Sequence, residues 1–172
     1  LHHTAHAVLV QHPCLVDFHR ARADAQRLGD APVVQALDEQ LERLRRSTAD
    51  PALLIGTAKE LLESVSKFVL EELGMPVGNK MSYDQLWHLA RERLGVLPQQ
   101  VDPNLPGVDA IRAIHQSTWN IADQVNKLRN LQGTGHGRTL PTGVSEDLAM
   151  LVVREAATVA DYMLARLDRE KG

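Results

Sequence analysis

Cysteine is nearly absent. Cys14 stands alone among 172 residues, so no intrachain disulfide forms and no four-cysteine zinc site is available. Aromatic residues are 3% of the chain, too few for the base-stacking surfaces of RRM or OB folds. No apolar run approaches the ~20 residues of a membrane-spanning helix, and no signal-peptide pattern stands out. Positive charge is not in excess either. Lys and Arg total 19 against 22 Asp and Glu, a formal net charge of −3, which excludes a generally basic nucleic-acid coat. Internal repeats and low-complexity tracts are also missing. These absences describe a soluble protein of a reducing compartment, expected in the cytoplasm and without a membrane partner. The first residue is Leu1 rather than Met, which reads as a processed chain or a piece of a longer product. The length fits one domain with an appendage, enough to build a core without disulfides or metals.

The periodicity is helical nearly throughout. Leu54, Ala58, Leu61, Val65 and Phe68 recur at spacings of 4, 3, 4 and 3, one apolar stripe on a long helix. Asp50 and Pro51 open that helix as cap and first residue, and Gly74 with Pro76 closes it. Glu63 and Lys67 pair at i, i+4 on its outer face. A second helix is predicted from about Ser82 to Leu94, with Ser82 and Gln85 as a capping box and Gly95 as its stop. After a loop holding Pro98, Pro103 and Pro106, a third stripe follows: Ile111, Ile114, Thr118, Ile121, Val125, Leu128. It should end near residues 129–131, before Gly133, Gly135 and Gly137. Ser145 caps a last helix to about Asp168, which is apolar on more than one face and is therefore central or shared with a partner chain. Two weaker helices are expected near residues 15–28 and 32–46. The boundary is placed at Thr48-Ala49-Asp50, giving residues 1–49 as an N-terminal helical extension and 50–172 as the main domain. No segment alternates with period two for long enough to be a strand. The fold class is all-α, a bundle of four long helices.

Chemistry concentrates after the third stripe. From Gln124 to Ser145 there is no acidic residue, while Lys127, Arg129, His136 and Arg138 all fall in that window. A positive patch on a negative chain suits an anionic ligand. Gly133, Gly135 and Gly137 leave backbone amides free to approach a phosphate. Arg129 offers a planar fork for phosphate oxygens, and His136 can exchange a proton near neutral pH. Together these are the parts of a metal-free phosphodiester-cleavage site. The histidine handles protons, the arginine holds developing charge, and Lys127, the loop amides and Arg138 hold the substrate. The same residues also fit a plainer description, in which the glycines only stop a helix and the cations are solvated.

The run Arg129-Asn130-Leu131-Gln132-Gly133-Thr134-Gly135-His136-Gly137-Arg138 resembles the Arg-x(4–6)-His signature of the HEPN superfamily. More closely, it is similar to the hallmark of the abortive infection C-terminal family, a phage-defence branch. Asp50-Pro51-Ala52-Leu53-Leu54-Ile55-Gly56-Thr57-Ala58-Lys59-Glu60-Leu61-Leu62-Glu63 resembles that family's first helix. The likeness covers about residues 50–166. It implies a HEPN-like helical bundle that forms a homodimer, with Arg129 and His136 in a site facing its two-fold mate. It implies a metal-independent endoribonuclease of toxin type, in which the ribose 2′-hydroxyl attacks the adjacent phosphate and leaves a cyclic phosphate. Asn130 would position the loop or the RNA, and an antitoxin or sensor partner is expected. Some HEPN toxins carry a Tyr two residues after the His, the target of an antitoxin that modifies it; Arg138 stands there in this chain. No cofactor and no metal is called for.

Other residues carry less. Lys59 and Glu60, beside the first stripe, could support the site but read more simply as a solvated pair. His2, His3, His6 and His12 lie near the amino end without acidic or cysteine partners, against a metal site. His88 and His115 have no ligand partner at i+4, and Cys14 has too little around it for a nucleophile. Trp87 and Trp119 read as core or interface anchors. The rival function is a catalytically silent helical module for dimerisation or for binding a nucleotide or RNA within a defence system.

Overall fold

The computed structural model describes residues 51–75, 77, 78, 80–132 and 143–171, together with Ala23, Arg27, Gln35 and Glu39 upstream. Among the described residues from 51 onward there are four helices: α1 (Pro51–Glu72), α2 (Tyr83–Arg93), α3 (Val108–Gln132) and α4 (Glu146–Lys171), with a 3₁₀ turn at Pro98–Gln100. No strand occurs among the described residues. Three helices are long, as expected; α2 is short, with 11 residues. The expected helices near residues 15–28 and 32–46 fall almost wholly outside the described residues. So do the boundary residues Thr48, Ala49 and Asp50.

The helix ends follow local chemistry. Ser82 Oγ accepts from the Gln85 amide at 3.3 Å, and the Gln85 side chain accepts from the Ser82 amide at 2.9 Å. This reciprocal box starts α2 where the sequence placed it. Gly95 stops it with a φ of 66°, which lets the Val96 amide reach back to the Arg91 carbonyl at 3.0 Å. A side chain at that φ would be strained, so glycine is required. Ser145 Oγ caps α4 by accepting from the Leu148 amide at 3.2 Å. The buried hydroxyls of Thr57 and Ser66 on α1 donate to the carbonyls of Leu53 and Leu62, one turn back, so neither is left unsatisfied.

The core forms where α1 lies along α4. Leu54, Ala58, Leu61, Val65 and Phe68 are all buried, and so are Val153, Ala156, Ala160, Met163, Leu164 and Leu167 opposite. Lys171 ion-pairs with Glu72, so the two helices finish together and run parallel. The last helix is therefore central: α1 and its neighbours cover its several apolar faces, and only Leu148 and Leu151 remain exposed near its start. α2 descends antiparallel to α3. Tyr83 donates to the Ala122 carbonyl, while eight residues later Arg91 donates to that of His115. His115 in turn meets Tyr162 of α4 at 2.9 Å. Thus α1, α2 and α4 point one way and α3 the other. The carboxyl end of α3 lies where α1 and α4 begin.

The third stripe is less buried than its spacing predicts. Val125 is buried, with Ala122 beside it, but Ile114 is 62% exposed. Spacing identifies the apolar face of a helix but not how far its neighbours extend over it.

Core and surface positions should respond differently to truncation. Phe68 is fully buried, so Phe68→Ala should cost about 3–5 kcal/mol through lost transfer energy and the cavity left behind. Leu105→Ala, at a residue 45% exposed, should cost less than about 1 kcal/mol. Urea unfolding of both variants beside the wild type checks the ranking, and equal costs would contradict the core placement.

Candidate functional site

Arg129 sits in the last turn of α3 and is half-buried. It follows Ala122 and Val125 at spacings of 3 and 4, so it occupies the next position of α3's inward stripe, where the pattern would otherwise put an apolar residue. A charge on a core-facing stripe breaks the local rule, and such breaks concentrate at working sites. Leu128 packs half-buried against the core and holds this turn in place. Asn130 is exposed. His136, Gly133, Gly135 and Arg138, with Gly137, lie outside the described residues.

Lys127 is exposed and ion-paired with Asp123 at 2.6 Å. The acid-free window begins one residue after Asp123, but the helix places that carboxylate one turn beneath Lys127. The local positive charge is therefore smaller than the window alone suggests.

On α1, Lys59 pairs with Glu63 rather than with its neighbour Glu60, and its ammonium lies 5.5 Å from the centre of the Tyr83 ring. Glu63 also accepts from Lys67 at 2.7 Å, as the i, i+4 spacing predicts. Burial pushes the Glu63 carboxyl up, but the hydrogen bonds and charges of the two lysines outweigh it and hold it below the usual range. Glu60 is half-buried on the same helix.

Tyr83 is a positioning residue that the sequence pattern did not single out. Its hydroxyl donates to the Ala122 carbonyl at 3.3 Å, two turns before Arg129, and Asn126 donates to Asp84 at 3.4 Å. The first turn of α2 thus grips the half of α3 that leads to Arg129. Burial, helped by Asp84, Glu63 and Asp123, raises the Tyr83 phenol well above its usual range and keeps it a donor. The capping box at Ser82 fixes where this turn starts, and was the available signal.

At the other end of the bundle three arginines hold backbone carbonyls. Arg91 donates to His115, Arg166 to Leu94 at 3.0 Å and Arg112 to Val101 at 3.5 Å. Arg91 is buried against the Trp87 ring, and burial lowers its pKa to about 10, so it stays charged at neutral pH. His88 is exposed beside a shallow groove of about 460 Å³ lined also by Lys80, Met81 and Leu89. Among the described residues no three His, Cys, Asp or Glu side chains gather as a metal site, and no helix is long and apolar enough to cross a membrane.

The family model described as a HEPN-like domain, Abi_C, matches residues 34–167, most of the chain. The chain belongs to that family. The match begins within the stretch read as an N-terminal extension. No curated protein and no solved structure matches the chain.

His115 makes a pH test of the α3–α4 junction possible. Desolvation lowers its pKa, and the charges of Arg91 and Arg166 lower it further; Tyr162 is its hydrogen-bond partner. Folding therefore favours the neutral ring. The unfolded ring takes a proton near pH ~6.5, so stability from this site is complete above that value and is lost as pH falls toward the lower folded pKa. His115→Gln should flatten part of the stability loss between about pH 7 and pH 5. Urea midpoints of both proteins across that range check it, and parallel curves would rule out the assignment.

Proposed function

We propose that the chain is a metal-independent endoribonuclease of the abortive-infection, toxin-like kind, acting in the cytoplasm in phage defence. The observation that supports this most is Arg129, a cation on the inward stripe of α3 in a chain of the HEPN-like family. In this reading the ribose 2′-oxygen attacks the adjacent phosphorus while the bond to the 5′-oxygen breaks. The products are a 2′,3′-cyclic phosphate and a 5′-hydroxyl. His136 takes or returns the proton, and Arg129 binds the phosphate oxygens as charge builds on them. Asn130 orients the loop, and Lys127, Arg138 and the amides of Gly133 and Gly135 hold flanking phosphates. Lys59 and Glu60 stand in support on α1.

Two such sites facing each other across a two-fold axis would suit the end of the bundle that carries Arg129. Large exposed apolar residues lie in the helix turns at that end: Leu53 starting α1, Leu131 ending α3, Leu148 and Leu151 starting α4. A homodimeric mate would cover them. An antitoxin or sensor partner would govern the activity by a route other than tyrosine modification, since Arg138 occupies that position.

Single-turnover RNA cleavage in EDTA tests the reading. The wild type should cleave; His136→Ala should lose about 10²–10⁴ in rate with helicity unchanged. Arg129→Lys should lose most cleavage, because an ammonium cannot replace the two-pronged guanidinium. Arg138→Ala should weaken RNA binding more than it slows cleavage, and binding should fall as salt rises. Full activity in His136→Ala would overturn the role given to His136, and a wild type inert with and without divalent ions would favour the silent module.

A further inference from the structure

The outward face of α3 has an arrangement that the proposed nuclease site does not use. From Ala113 to Ala122 ten consecutive residues carry no Asp, Glu, Lys or Arg. None of the ten except Ala122 is buried: Ile114 is 62% exposed, Trp119 is 36% exposed, and Ala113, Gln116, Ser117 and Asn120 are exposed as well. Protein surfaces are ordinarily rich in charge, and a charge-depleted centre is the compositional mark of an interface core. Several polar groups on this face already have partners within the helix. Ser117 and Thr118 donate to the carbonyls of Ala113 and His115, and Gln116 donates to Asn120. Covering them would cost few hydrogen bonds to water.

The charges that bound the stretch say what covers it. Arg112 precedes it and Asp123 follows it, at equal distances from the midpoint between Ser117 and Thr118. Further out lie Asp109, which pairs with Arg112 at 3.8 Å, and Lys127, which pairs with Asp123, so each end of the stretch carries an ion pair whose order, counted outward, is reversed at the other end. An antiparallel copy of the helix centred on that midpoint sets Arg112 against Asp123 of the partner subunit, and Asp109 within a residue's rise of the partner's Lys127. Around the helix, Arg112 and Asp123 lie on one edge of the outward face and Ile114 and Ile121 on the other. A two-fold axis pairs like edges. Ile114 therefore meets the partner subunit's Ile121, and the small residues Ala113 and Ser117 lie between for close approach. The pattern is complementary to its own reverse, the condition for an isologous contact.

We infer that α3 pairs with α3 of a second copy of this chain, antiparallel, centred between Ser117 and Thr118. At ~1.5 Å per residue the two Arg129 positions then lie about 35 Å apart along the seam. This contact is distinct from the site-facing one proposed above. It leaves that end of each bundle free, so the chain carries two self-association surfaces and can assemble beyond a dimer.

Disulfide trapping reads the register directly, in full-length protein with Cys14→Ser as background. Ser117→Cys should oxidise to a covalent dimer, because residues beside the axis bring their Cα atoms within the ~7 Å a disulfide needs. Gln124→Cys, one turn beyond Ile121, should not, since its two copies are about 20 Å apart. Arg112→Asp should weaken association about tenfold in sedimentation equilibrium, and Arg112→Asp with Asp123→Arg should restore it. Ser117→Cys staying reduced would overturn the inference. If the protein still sediments as a dimer in that case, the site-facing contact stands alone. If it is a monomer, neither self-association contact forms. RNA cleavage by His136→Ala, measured separately, bears on the nuclease reading and not on this one.

Discussion

A helix that is apolar on several faces has to be enclosed, and in this chain the enclosure of α4 decides the rest. Val153, Ala156, Ala160, Met163, Leu164 and Leu167 need cover, and α1, whose stripe from Leu54 to Phe68 is buried, supplies much of it. The helices finish together at Glu72 and Lys171. Once that pair is set, α3 must return in the opposite sense between the short α2 and the start of α4. Its carboxyl end then emerges beside the starts of α1 and α4. The location of Arg129 is a consequence of covering α4.

Two sets of polar contacts then fix how α3 lies. Near Arg129, Tyr83 and Asp84 hold Ala122 and Asn126 from the side. At the far end, Arg91 holds the carbonyl of His115 while His115 holds Tyr162. Hydrogen bonds to backbone carbonyls resist sliding in a way that apolar contacts alone do not, since each has one geometry. Between these grips the outward side of α3 is exposed, and the uncharged stretch lies there.

Much of this was legible beforehand, because it depends on neighbours in sequence. The α1 stripe, the Ser82–Gln85 box, the stop at Gly95 and the Ser145 cap all act within a turn or two. What was not legible depends on distant residues. The exposure of Ile114, next to a His115 that α2 and α4 both reach, depends on which face of α3 those helices cover. The grip of Tyr83 on Ala122 spans 39 positions. Lys127 looked unopposed because the acid-free window stopped one residue short of Asp123. Arg129 was singled out by its company of glycines and His136. Its inward direction came only with the burial of Ala122 and Val125. Of the candidate site residues near the end of α3, the described ones are Lys127, Arg129 and Asn130.

The parallel run of α1 and α4 also bears on the order of events during synthesis. α1 leaves the ribosome well before α4, the helix that covers its stripe. Until Leu167 has emerged, Leu54, Leu61 and Phe68 have no lasting partner, and contacts so far apart in sequence form late. The core therefore assembles only after nearly all of the domain has been translated. Until then the turn holding Arg129 lacks the packed bundle that orients it, so a nascent chain holds that arginine in no fixed place.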